Sequence, residues 1–272
     1  MKKLKKRFIV PAVVFILGMC ALIGAIYVVG ESQEQQNRTN AKLNAMTYTE
    51  RIYGELMEGI GVTDTLKQVV ISGDGNINKF YDIAENMMDD SIQSIQIAPN
   101  GVVNEIYPED LNESGKIDLI NDSDRGEISR YARDNDTVIM QGPFELKQGG
   151  YGIAVRNPVY LEDENGKKSF WGFTIVILKV PEIFSHSVEA LFNFGYKYSL
   201  QKCASPWDDT YEWVNGSKEA LNDPVIYDFD VYGGKWRLEI LPKSGFYNNN
   251  YLIYMFIGGV IIVLLLTGME KS

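Results

Sequence analysis

Nucleophilic and acid–base sites are usually organised around an imidazole, and this 272-residue sequence contains one histidine, His186. A Ser-His-Asp or Cys-His arrangement needs the imidazole beside its nucleophile, yet His186 lies within a helical pattern over 181–192 with no motif around it. The two cysteines, Cys20 and Cys203, fall in an apolar run and in a polar segment, so neither a disulfide between them nor a paired-cysteine metal site is expected. Neither a His-Glu-x-x-His spacing nor a calcium-binding loop occurs. Carboxylates cluster at Asp89-Asp90, at 121–124, at 134–136 and at Asp208-Asp209, where solvated loop acids are the expectation and a cation site the alternative. Gly149-Gly150 and Gly233-Gly234 fall between strand patterns and neither opens a helix with a lysine, which excludes a phosphate-cradling loop. Catalytic residues, metal and cofactor are therefore all expected to be absent. What remains is a concave site for a small molecule.

Charge distribution says where such a site would lie. Residues 8–30 are 23 positions without a charge and residues 251–268 are another 18, lengths that suit helices crossing a bilayer core. The first run is longer than a signal peptide's apolar stretch, and no small-residue cleavage site follows it. Lys2, Lys3, Lys5, Lys6 and Arg7 precede it, which predicts a cytoplasmic N-terminus, an extracytoplasmic middle and a returning cytoplasmic tail over 269–272. The formal net charge of -10 hides those five cations; since Glu270 and Lys271 cancel, residues 8–269 carry -15. So acidic a segment disfavours nucleic acid, whose phosphates need clustered Lys and Arg.

Periodicity supplies the elements that must position the site. Residues 31–62 read as a stalk helix with apolar positions Leu43, Met46, Tyr53, Met57 and Ile60, a stripe that either packs on its own domain or pairs with a second copy. Gly59 and Gly61 are expected to end it, and Thr63-Asp64 to cap a new short helix reaching Ile71. A helix over 76–88 and a hairpin of 91–98 with 102–107 follow, turning at Pro99-Asn100-Gly101. Next come a helix over 121–133 and three strands over 137–146, 151–161 and 169–180. That order predicts an α+β, PAS-like lobe over 63–180. A second, membrane-proximal PAS-like lobe over 181–250 repeats it in part: a helix from Pro181, a strand over 195–203 and a hairpin of 225–232 with 235–242. The predicted fold is thus a stalk helix and tandem PAS-like lobes flanked by two transmembrane helices.

Three ordered blocks are specific: IAPNGVVNEIYP (97–108), GPFELKQGGYGIAVRNPVY (142–160) and FWGF (170–173). Together they resemble the CHASE domain, an extracellular sensor module of receptor histidine kinases and diguanylate cyclases, over about residues 65–180. The resemblance implies a homodimer that pairs through the stalk and binds a small molecule in the membrane-distal lobe. It implies that Asp124, of an Asp-Arg pair at the middle helix, bonds the ligand. A pocket-bordering position that is Thr in cytokinin-binding members is Gln141 here, changing volume and polarity. Tyr151, Ile153 and Trp171, on the central strands, complete the candidate lining. Members normally continue into a kinase or cyclase, so the output is expected from a longer product or a separate partner. The competing reading is a membrane-anchored interaction module that pairs with another receptor and takes no small molecule.

Overall fold

The structure, a computed structural model, describes residues 2–109, 117–147, 149–247 and 249–269, with side chains from Ile9 to Gly268. The basic side chains of residues 2–7 and the tail beyond Met269 lie outside this description. In chain order the elements are α1 (Lys2–Ser72), α2 (Phe80–Met87), β1 (Ile92–Pro99), β2 (Glu105–Tyr107), α3 (Gly126–Asp134), β3 (Ile139–Glu145), β4 (Tyr151–Glu162) and β5 (Lys168–Val180). A 3-10 turn at Glu182–Phe184 leads to α4 (Ser185–Asn193), β6 (Tyr196–Cys203), β7 (Tyr211–Gly216), β8 (Val225–Val231), β9 (Gly234–Pro242) and α5 (Asn249–Met269). One compact unit comprises the two chain ends, up to Asn44 and from Leu241, and a second comprises Ala45–Ile240.

Two antiparallel sheets make the second unit an α+β structure. The larger has strand order β2-β1-β5-β4-β3 and the smaller β7-β6-β9-β8. Strands β4 and β5 are buried along most of their length and form the centre of the larger sheet. Alternation assigns their faces: Ile153, Val155 and Asn157 stand opposite Leu178, Val176 and Thr174 on one side. Ala154 and Arg156 stand opposite Ile177 and Ile175 on the other. The first face packs on α1. The second faces a cluster that includes Ile106, Leu119 and, from α3, Ile128 and Ala132.

Helix α1 corrects the expected break. Gly59 does not stop it, because the missing side chain leaves room for Leu178, whose methyl carbons come 2.6 and 2.9 Å from where a Cβ would stand. Thr63 is not a cap either. Its hydroxyl donates to the Ile60 carbonyl (2.7 Å), and its own carbonyl accepts from the Thr174 hydroxyl (2.9 Å). Asn157 of β4 donates to Asp64 (2.7 Å) and accepts from Lys67 (3.2 Å), so the polar residues that look like a helix start are satisfied by the sheet. The stripe also differs from expectation. Ala41, Ala45, Tyr48, Ile52, Leu56 and Ile60 are buried apolar positions at spacings of three and four, so of the expected stripe Ile60 is buried while Leu43, Met46 and Tyr53 are exposed.

The other differences are local. The helix expected over 76–88 is shortened to α2 after a left-handed Lys79, and α3 begins at Gly126 rather than near residue 121. Pro181 opens a 3-10 turn rather than the helix itself, which places Phe184 against Trp236, ring centroids 6.3 Å apart. In the smaller sheet, strand β7 has no counterpart among the expected strands.

The first unit holds two helices long and apolar enough to cross a membrane, one near the N-terminus and one at Asn249–Gly268. They approach through small residues: Gly18 meets Val263, Gly259 meets Leu22 and Gly30 meets Leu252, pairs whose numbering runs in opposite directions, so the segments are antiparallel. Beyond that contact Asn37 donates to the Phe246 carbonyl (2.7 Å), and the Arg38 guanidinium lies 4.3 Å over the Phe246 ring.

Candidate ligand cavity

Strand register builds the floor of a cavity on the α3 side of the larger sheet. One cross-strand row runs Ile139, Arg156, Ile175, Gln96 and Ile106, and a second runs Gln141, Ala154, Ile177 and Ser94. Between these rows, the segment before α3 and the end of β3 lies a cavity of about 890 Å³. That volume suits one small molecule. Ala204 and Glu212, at the end of β6 and in β7, also line it, so both sheets contribute.

The floor mixes apolar bulk with a few polar groups. Ile106, Leu119, Ile175 and Ile177 supply the first. Arg156 dominates the second, only 3% exposed and flanked across the strands by isoleucines rather than by an acid. Its Nε and Nη1 meet no acceptor among the described residues. Burial, joined by nearby Arg125 against the smaller opposing pull of Asp122, lowers the guanidinium to about 9, so it still carries its charge at neutral pH. Asp122 is otherwise engaged. The backbone N–H of Asp124 (2.9 Å) holds its carboxyl below the usual range, with help from the N–H of Arg125 (2.9 Å) and the Arg125 guanidinium. Gln141 donates from Nε2 to the Asp124 carbonyl (3.0 Å), tying β3 to the turn before α3, and its buried Oε1 has no donor among the described residues. Acids occur at the exposed rim instead, as Asp124, Glu145 and Glu212.

Of the five residues singled out from the sequence, Asp124 and Gln141 line this cavity and are joined by the hydrogen bond just described. Asp124 contributes its carbonyl to that bond, while its carboxylate accepts from the Ser123 hydroxyl (3.0 Å). The other three lie elsewhere. Ile153 is buried on the α1 face, one residue out of phase with Ala154. Tyr151, at the start of β4, meets Trp213 edge-on with ring centroids 5.4 Å apart and accepts from Lys218 (3.3 Å). Trp171 packs beside Gly75, just after the end of α1. Arg156, Ser94 and Gln96 were not anticipated. The signal for Arg156 was a lone charge in the apolar stretch Gly152 to Val159.

Among the described residues no three His, Cys, Asp or Glu side chains converge as metal ligands. The cavity's polar groups instead suit hydrogen bonding and charge pairing with a bound organic molecule.

No protein-family model matches the chain, and no curated protein matches it in sequence. Solved structures do. An extracellular ligand-binding receptor from Desulfohalobium retbaense DSM5692 is similar with a TM-score of 0.54 at 12% identity, over 74% of this chain and 40% of that one. The ligand-binding domain of the Pseudomonas aeruginosa PAO1 amino acid chemoreceptor PctC, solved with GABA, gives 0.48 at 14% identity, over 76% and 98%. The periplasmic sensory domain of the Campylobacter jejuni chemoreceptor Tlp1 gives 0.48 at 14% identity, over 80% and 98%. The chain thus spans less than half the length of the Desulfohalobium receptor, and what it shares with that protein is the fold.

Proposed function

We propose that this chain is a membrane-bound extracytoplasmic sensor of the CHASE type, binding a small-molecule signal in the cavity of its larger sheet. The observation that carries the reading is that cavity, with the buried and unsatisfied polar atoms of Arg156 and Gln141 on its floor. Two apolar helices flank the sheets, and the fold is shared with an extracellular ligand-binding receptor, both of which support a sensor facing out of the cell. The membrane-distal lobe, residues 63–180, is the input, and the proximal lobe, 181–250, links it to the second span. Both chain ends are cytoplasmic, and the bound state is passed across the membrane to a kinase or cyclase output. A second copy pairs through the exposed Leu43, Met46 and Tyr53 of α1.

The experiment is a thermal-shift screen of the full chain in lipid nanodiscs against small metabolites. A ligand that binds only the folded state raises Tm in a saturable way. If no compound does so while another membrane receptor binds the chain tightly, the interaction-module reading replaces this one.

A further inference from the structure

Arg156 sits on β4, an interior strand of the five-stranded sheet, between isoleucines on both neighbouring strands, and is 3% exposed. A cation in such a place is costly unless an anion and hydrogen-bond acceptors accompany it. Among the described residues no side chain meets that need: Nε and Nη1 are without acceptors, and the acid nearest in effect, Asp122, is held by two backbone N–H groups and by Arg125. Arg125 adds a second positive charge to the same neighbourhood. An acceptor stands nearby, since Gln141 Oε1 is buried with no donor among the described residues, two positions along β3 from the residue paired with Arg156.

From this arrangement we infer that the cavity takes a small carboxylate, its anionic end on the Arg156 guanidinium and an amino or hydroxyl group of the same molecule donating to Gln141. This rests on the cavity being the ligand site proposed above and names the class of ligand. A planar guanidinium matches a carboxylate through paired N–H donors. Inorganic phosphate also satisfies a guanidinium, but it lacks an apolar body for Ile175 and Ile177 and would bring more negative charge toward the rim acids Asp124, Glu145 and Glu212. The rim acids also favour a ligand whose outer end is neutral or positive.

The test uses the full chain in nanodiscs and a panel of lactate, glycolate, L-alanine and L-leucine, each beside its primary amide, with inorganic phosphate and chloride as further probes. At least one carboxylate should raise Tm saturably, with its amide at least tenfold weaker. Arg156→Met replaces the buried charge by an apolar side chain of similar length and should weaken that carboxylate tenfold or more, and Gln141→Leu should weaken it several-fold. The amide comparison needs no variant, so it decides the matter even if Arg156→Met folds poorly. Binding of phosphate or chloride alone would overturn the inference, as would a panel in which no carboxylate binds. If the wider metabolite screen yields a neutral or cationic ligand that Arg156→Met binds equally well, the sensor reading survives and this inference does not. Should neither set stabilise the protein, both fail together.

Discussion

Lys202 shows how a single buried cation leaves a mark on stability. It is 2% exposed, and its ammonium donates to the carbonyls of Gly142 (3.1 Å) and Cys203 (2.8 Å), bridging β6 to β3. Burial pulls the amine down to about 8 from 10.5, with Glu212 pulling weakly the other way. Between those two values the unfolded chain holds a proton that the folded chain has lost, so this group makes stability rise with pH across the window. The difference in unfolding free energy between wild type and Lys202→Met, from denaturant titrations, should therefore shift in favour of wild type from pH 8 to pH 10; a difference independent of pH would show that the amine is not depressed. Asp124→Asn is expected to change stability by less than about 0.5 kcal/mol, because the bond that ties this residue to Gln141 uses its backbone carbonyl. At this scale the sequence was partly legible. The family resemblance singled out Asp124 and Gln141, and both line the cavity. Ile153 was one residue out of phase, since alternation reveals that a strand has two faces without revealing which of them looks at α1. Arg156 was visible only as a charge out of place.

Elements explain why some glycines matter and others do not. Gly59 and Gly61 both lie within α1 and both looked like its end. A Cβ on Gly59 would press into Leu178, whereas one on Gly61 would meet nothing within 4 Å. Gly61→Ala should therefore stabilise the protein by up to about 1 kcal/mol through helix propensity, and Gly59→Ala should lose that gain or reverse it, as measured by chemical unfolding of the full chain. Gly172, in the FWGF block, is stricter. An added Cβ would overlap the Ala98 carbonyl oxygen and come 2.8 Å from the Pro99 Cα on the adjoining strand, and both are backbone atoms that cannot rotate away. Gly172→Ala is expected to cost more than about 2 kcal/mol and to lower Tm accordingly. Most strands and the hairpin turns were legible because period-two runs end at strong turn residues such as Asn100-Gly101 and Gly233-Gly234, whereas β7 and the long-range pairings of β1 with β5 and of β6 with β9 were not. Helix α1 was misjudged at Thr63 for a different reason. Its polar residues are satisfied by Asn157 and Thr174, about a hundred positions away in sequence, and no local pattern carries that information.

The proposed sensor role requires the two apolar helices to respond to the cavity, and the contacts between those helices make this measurable. Without a hydrophobic driving force between helices in lipid, close approach depends on small residues, which here are Gly18, Gly30 and Gly259. A Cβ built on Gly18 stands 3.6 Å from the Val263 Cβ, inside the range of roughly 3.5–4.5 Å that a disulfide requires. The double variant Gly18→Cys with Val263→Cys, in a Cys20→Ser background, should therefore cross-link within one chain under mild oxidation, while Gly24→Cys with Val263→Cys should not, since a Cβ on Gly24 has no neighbour within 4 Å. The product is read as faster migration of the non-reduced monomer. Cys203 is buried and is not expected to compete. The same pair then tests transmission. Saturation with a ligand from the thermal-shift screen should change the initial cross-linking rate by about twofold or more, because an equilibrium between two arrangements of the spans moves only if the ligand favours one of them. An unchanged rate at full occupancy would overturn transmission through this helix pair and leave the binding site itself standing.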